Sequence, residues 1–178
     1  MTCLNGWAKI IRNRAQNNSC REGEHMWREI KNIKYINLLT QTEIQELIGK
    51  AIEARNKSYS PYSHYQVGAA MLAGDGQIIT GCNIENAAYG PTNCAERTAF
   101  FKAVSEGVRE FRAIAIVGSP EGDELTQYAY PCGVCRQVMM EFCNPADFQI
   151  IVAKSMEDYH IMTLGELLPE GFGPENLR

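Results

Sequence analysis

Cys94-Ala95-Glu96 and, further along, Pro131-Cys132-Gly133-Val134-Cys135 are the residues of this 178-residue chain whose types and spacing could do chemistry together. Thiolates at Cys94, Cys132 and Cys135 suit Zn²⁺, and a tetrahedral zinc with three protein ligands keeps its fourth position for water. Glu96 stands two residues from the first thiolate, close enough to handle protons and poorly placed to be a ligand. Zinc lowers the pKa of its bound water, so hydroxide is available near neutral pH. A carboxylate beside it can serve as base and then as acid. The expected chemistry is therefore hydrolytic. Two blander readings stay open at this point. A Cys-x-x-Cys with a distant cysteine can be a closed structural site that takes His64, His160 or Cys82 as its fourth ligand, and Glu96 can simply complement a helix dipole.

The elements that must position these residues follow from local pattern. Cys94 ends a turn-rich loop and precedes a helix expected over 94–106, with Gly107 as its stop. Cys132 and Cys135 open a second helix, over 133–142, behind Pro131. Helix N-termini carry partial positive charge and free N–H groups, which favour thiolates. Arg97 and Arg136 stand next to the ligands in sequence, where they can donate to the sulfurs and offset the net negative charge of three thiolates on one zinc. Upstream, Thr40-Gln41-Thr42-Glu43 is a capping-box pattern, and Ile44, Leu47, Ile48, Ala51 and Ile52 repeat at helical spacing to about Arg55. The run 67–73, the Gly74-Asp75-Gly76 turn and the run 77–83 read as a hairpin. Residues 113–117 are a continuous apolar strand covered on both faces, 118–130 a polar loop, 148–153 a fourth strand and 159–162 a fifth. Leu164 to Leu168 forms a last helical turn, and Gly171, Gly173 and Pro174 end regular structure. The fold class is α/β: a three-layer αβα arrangement around a five-stranded mixed sheet. Residues 39–178 form the regular domain. Residues 1–38, polar and without sustained periodicity, read as a poorly ordered extension with a short helix near 26–33.

Composition narrows the class. At 45% hydrophobic, 178 residues suffice for one core. A net charge of −4 and the lack of a basic stripe argue against a nucleic-acid partner. Seven cysteines are an odd number with no regular framework of spacings. Residues 1–20 hold Asn5, Lys9, Arg12, Arg14, Asn17 and Asn18 and no signal-like apolar stretch, and no run approaches the roughly 20 apolar residues of a membrane span. The expectation is a reduced, soluble, cytoplasmic protein with no membrane partner. Cys82 and Cys143 read as packing residues.

At these residues the chain resembles the cytidine deaminases, specifically the small homotetrameric class with a three-cysteine zinc site. The resemblance is carried by Ser60-Pro61-Tyr62-Ser63, Val67-Gly68-Ala69-Ala70, Gly81-Cys82-Asn83-Ile84-Glu85-Asn86-Ala87, Cys94-Ala95-Glu96-Arg97-Thr98-Ala99, Pro131-Cys132-Gly133-Val134-Cys135-Arg136-Gln137, and Leu167-Leu168-Pro169 with Phe172-Gly173-Pro174. It covers about residues 40 to 177. It implies a five-stranded sheet between helices, one Zn²⁺ per subunit, and hydrolysis of cytidine and deoxycytidine to the uridines with release of ammonia, as in pyrimidine salvage. Cys94, Cys132 and Cys135 match the family's zinc ligands and Glu96 its proton shuttle: hydroxide attacks C4 while Glu96 protonates N3 and then the departing ammonia. Asn83 and Glu85 match the pair that hydrogen-bonds a ribose hydroxyl, and residues i and i+2 at a strand end point the same way. Ala95 offers a backbone N–H to the base. Tyr89 and Phe172 match aromatic positions that neighbouring subunits of the homotetramer contribute to a shared pocket.

Three positions depart from the pattern. Tyr65 stands where Phe usually packs on the pyrimidine, Gln66 where Pro is frequent, and Tyr130 where Ser or Thr is common. None touches the metal set, so they bear on substrate affinity more than on reaction type. An aminonucleoside antibiotic such as blasticidin S is the alternative substrate, since its deaminases share the cysteines and glutamate and differ at the sugar-binding pair.

Overall fold

The computed structural model describes residues 39–177. The proposed extension over 1–38, with its short helix, lies outside the described residues. Helix α1 (Gln41–Arg55) starts at a complete capping box: Thr40 N donates to Glu43 Oε2 (2.8 Å) and Glu43 N donates to Thr40 Oγ1 (3.2 Å). Strands β1 (Tyr65–Ala73) and β2 (Ile78–Cys82) form the antiparallel hairpin, and helix α2 (Ala95–Ser105) follows. Strand β3 (Phe111–Pro120), helix α3 (Gly133–Phe142), strands β4 (Gln149–Ala153) and β5 (Tyr159–Thr163) and the short helix α4 (Leu164–Leu167) complete the order. The sheet runs β2-β1-β3-β4-β5, with β3 and β4 parallel and every other neighbour antiparallel. That is a five-stranded mixed sheet.

Side-chain alternation divides the core in two. Ala70, Leu72, Ala113, Ala115, Val117, Ile151 and Ala153 face α1, packing on Ile44, Leu47, Ile48 and Ala51. Met71, Ile114, Ile116, Ile150 and Val152 face the opposite way, against Phe100 and Ala103 of α2, Met139 of α3 and Leu164 of α4. Helices therefore cover both faces, which makes three layers. Among the described residues no helix is long and apolar enough to cross a membrane.

The end of β3 and the C-terminal residues depart from the sequence reading. Strand β3 is ten residues long, because Gly118, Ser119 and Pro120 continue the pairing with Val67, Gln66 and Tyr65. The polar loop expected over 118–130 therefore begins at residue 121. Ser119 can stay in a buried strand because its hydroxyl donates to the Asp123 carbonyl (3.1 Å). A 3₁₀ helix (Pro174–Leu177) also follows the glycines that were expected to end regular structure.

Two glycines set how closely helices approach the sheet. A Cβ on Gly68 would lie 2.0 Å from the Ala51 carbonyl oxygen of α1. A Cβ on Gly81 would lie 2.4 Å from the Ala95 carbonyl oxygen and 2.5 Å from the Ala99 amide of α2. Both neighbours of Gly81 are backbone, so no side-chain rotation relieves the clash. Gly81→Ala is expected to push the start of α2 off the sheet and destabilise the domain by about 1–3 kcal/mol, the range for overpacking. Denaturant unfolding checks this, and a variant with an unchanged midpoint contradicts it.

Candidate metal centre and active site

Cys94 and Cys132 occupy the same structural position on two different helices. Each is the N-cap residue, Cys94 of α2 with φ −76° and ψ 159° and Cys132 of α3 with φ −68° and ψ 166°, and neither side chain makes the capping hydrogen bond. An N-cap normally uses a Ser, Thr, Asp or Asn oxygen to satisfy a first-turn amide. Here the thiols are left free. Pro131 biases Tyr130 to extended backbone and so fixes the entry to α3. Cys135 sits in the first turn of α3, buried, one helical step from Cys132.

The three sulfurs meet. Cys94 Sγ and Cys132 Sγ are 4.0 Å apart, Cys132 Sγ and Cys135 Sγ 3.6 Å, and all three lie within 4.8 Å of one another. Two sulfurs bound to one tetrahedral zinc, each at about 2.3 Å, are separated by about 3.8 Å. The observed spacings bracket that value and are far longer than the roughly 2.05 Å of a disulfide. The donor set fits zinc. Among the described residues the cluster gathers no fourth ligand. His64 Nδ1 lies 3.3 Å from Glu121 Oε2, His160 Nδ1 is hydrogen-bonded to Tyr130 Oη (2.8 Å), and Cys82 Sγ donates to the Lys57 carbonyl (3.2 Å).

Charge is arranged around the sulfurs. The Arg97 guanidinium donates to Cys94 Sγ (3.4 Å) and to the Thr92 carbonyl (2.9 Å). Arg136, the other expected sulfur partner, instead donates through Nε to Pro131 O (2.9 Å) and through Nη1 to Leu167 O (2.7 Å), bracing the segment before Cys132. The Cys94 thiol is lowered to about 5, chiefly because Cys135 donates a hydrogen bond to it, with Arg97 adding to the effect. Cys135 is raised by the same bond, by burial and by the Glu96 charge, so the pair shares one proton and Cys94 is the readier thiolate.

Glu96, in the first turn of α2, is 4% exposed. Burial pushes its carboxyl up to about 7, and the charge of Cys94 adds to the rise against opposing bonds from its own amide and from Cys135. A carboxyl balanced near neutral pH can both take and give a proton.

Cys94, Ala95, Glu96 and Cys132 line a cavity of about 320 Å³. Tyr65, Val67, Asn83, Ile116, Ala129 and Tyr130 also line it. Ala95 is fully buried, and as the first residue of α2 its N–H has no intrahelical acceptor. Asn83 is already engaged: its Oδ1 accepts from Val67 N and its Nδ2 donates to Tyr65 O, both at 2.8 Å. One lone pair and one N–H are left for a ligand.

Glu85 does not join Asn83 on the cavity wall. Strand β2 ends at Cys82, and beyond the isolated bridges of Ile84 to Tyr59 and Asn93 comes Glu85. Its Oε2 accepts from Tyr62 N (2.9 Å) and Ser63 N (3.2 Å), and the hydroxyl of Ser63 leads the contacts that hold the carboxyl below its usual range. Tyr89 and Phe172 are 74% and 58% exposed and lie outside the cavity lining of this chain. Thr92, Asn93, Ile116 and Ala129 line the cavity without having been singled out in the sequence. Thr92 and Asn93 directly precede Cys94, which was a usable signal. Ile116 and Ala129 carried none.

A three-layer αβα domain with an open three-thiolate cluster and a buried glutamate beside it defines a zinc-dependent hydrolase of the deaminase class. Residues 41–151 match the family described as the cytidine and deoxycytidylate deaminase zinc-binding region, and the chain belongs to that family. It is 50% identical over 135 residues to a cytidine deaminase of Sporosarcina psychrophila, covering 76% of this chain and 95% of that protein. It is 51% identical over 133 residues to a cytidine deaminase of Halalkalibacterium halodurans, covering 75% and 96%. The solved structure of cytidine deaminase from Burkholderia pseudomallei superposes with a TM-score of 0.65 at 46% identity, covering 71% of this chain and 97% of that one.

Proposed function

We propose that this protein hydrolyses cytidine and deoxycytidine to uridine and deoxyuridine, with water consumed and ammonia released, as a step of pyrimidine salvage. The observation that carries the reading is the buried Glu96 carboxyl on the wall of a cavity that two of the three clustered thiols also line. Cys94, Cys132 and Cys135 would hold one Zn²⁺, whose chemistry when bound is to acidify water and so supply a nucleophile near neutral pH.

The remaining roles belong to this chain's own groups. Glu96 takes a proton from the attacking water and gives it to ring N3, then takes the proton of the new hydroxyl at C4 and gives it to the departing amine, and its near-neutral pKa suits both exchanges. The Ala95 N–H receives the base's carbonyl oxygen. Asn83, held by the β1 backbone, offers its free lone pair and N–H to a ribose hydroxyl. Glu85 supports that contact from the loop beyond β2, and Tyr65 supplies a ring beside the pyrimidine. Arg97 and Arg136 steady the cluster from the first turns of the two helices. Neither Lys nor Arg is among the described residues that line the cavity, which favours an uncharged nucleoside over a nucleotide whose phosphate would need a cation.

We further propose a homotetramer in the cytoplasm in which Tyr89 and Phe172 of neighbouring subunits complete the pocket. The exposure of both rings supports this.

Two measurements check these roles. Zinc-loaded enzyme is expected to convert cytidine and deoxycytidine far faster than deoxycytidylate or blasticidin S, and Glu96→Ala is expected to keep its zinc while losing about 10²–10⁴-fold in kcat. Near-normal turnover in that variant removes Glu96 from the mechanism. Light scattering is expected to give the mass of four chains, and a fully active monomer rejects the shared pocket.

A further inference from the structure

Tyr130 lines the cavity next to Pro131 and Cys132, yet it is 46% exposed. A half-exposed ring at a cavity wall has several staggered rotamers open to it unless something holds it. His160 holds it. The histidine lies on β5, outside the cavity lining, and its Nδ1 is hydrogen-bonded to the Tyr130 hydroxyl at 2.8 Å. The hydroxyl donates when the imidazole is neutral, and the imidazolium donates back to the hydroxyl oxygen, so the tie survives either state.

His160 is itself fixed. Its ring stacks on Tyr128, with centroids 4.1 Å apart and planes at 27°. The Tyr128 hydroxyl donates to Asp158 Oδ1, and Lys154 Nζ lies 4.4 Å from the centre of the Tyr128 ring while pairing with Asp158 Oδ2 at 2.7 Å. Tyr128, itself fixed by Asp158 and Lys154, thus holds an imidazole whose contact with the cavity runs through one tyrosine hydroxyl.

We propose that His160 is a positioning residue for substrate binding, fixing Tyr130 as a pre-formed wall of the nucleoside cavity without touching the nucleoside. The inference rests on the proposed function of that cavity. Its physical content is pre-organisation: a ring already ordered need not be ordered when substrate arrives. Ordering one such side chain is worth about 2- to 10-fold in affinity. Because the base's reacting atoms face Glu96 and the cysteines, the effect belongs in binding and not in the chemical step.

The test uses zinc-loaded full-length enzyme with cytidine. His160→Phe keeps a ring for Tyr128 to stack on and removes Nδ1. His160→Asn keeps a polar atom close to the Nδ1 position. His160→Phe is expected to raise KM about 2- to 10-fold with kcat held within about twofold, and His160→Asn to recover most of the loss. Adding His160→Phe to Tyr130→Phe should cost nothing further, since both remove the same bond. Calorimetric cytidine binding in a Glu96→Gln background should show the same loss as KM. An unchanged KM, a fall in kcat alone, or additive losses in the double variant overturns the proposal. If the wild-type enzyme proves inactive on cytidine, the functional reading fails separately, and the tie is then read by ¹⁵N spectra of labelled histidine. Tyr130→Phe must shift the His160 Nδ1 resonance, and an unshifted resonance sinks the inference.

Discussion

The rest of the structure depends on two helices that begin at the same place with their capping side chains withheld. Cys94 and Cys132 take the N-cap backbone conformation of α2 and α3, but their sulfurs turn toward each other. The helix starts forgo side-chain capping, worth about 1 kcal/mol each. What is gained is a cluster of thiols at two positive helix ends, where thiolates are favoured. Cys135, one turn into α3, completes a set whose spacing already suits a single tetrahedral ion. Such a site is specified by where the helices start, so whatever sets those starting points controls the chemistry.

The sheet sets them. Gly81 lets the first turn of α2 rest directly on β2, and Pro131, braced through its carbonyl by Arg136, sets the entry to α3. The same packing buries Glu96 and lifts its carboxyl to a pKa near neutrality. The thiol cluster and the buried carboxyl are therefore consequences of one placement, and a shift of α2 would disturb both. The cavity walls are supported from further away: Asn83 is clamped to β1, and Tyr130 is tied to β5 through His160. In a single chain Tyr89 and Phe172 are exposed and lie outside the cavity lining.

Much of this was legible in the sequence, because the signals were local. The capping box at Thr40, the Gly74-Asp75-Gly76 turn and the apolar runs of β3 and β4 each report their own element. The zinc set was legible because thiols at that spacing, with a glutamate two residues on, have few other uses. What escaped was set by tertiary pairing. The last three residues of β3 look like loop, and they are strand because β1 supplies partners for them. Glu85 reads as the partner of Asn83 by alternation, while the Tyr62 and Ser63 amides, more than twenty positions away, donate to its carboxylate. Arg136 looked like a sulfur donor by adjacency, and its guanidinium is drawn away by the carbonyls of Pro131 and Leu167. His160 gave no sign of its tie to Tyr130, because the two residues are thirty positions apart and meet only when β5 is laid beside β4.

X-ray absorption at the zinc edge of the purified protein tests the central claim most directly. The account predicts three sulfurs at about 2.3 Å and one oxygen at about 2.0–2.1 Å, with none of the outer-shell scattering that an imidazole ring produces. Four sulfurs, or three sulfurs with a histidine nitrogen, would mean that the fourth position is closed by protein, and the hydrolytic reading of the site would fail.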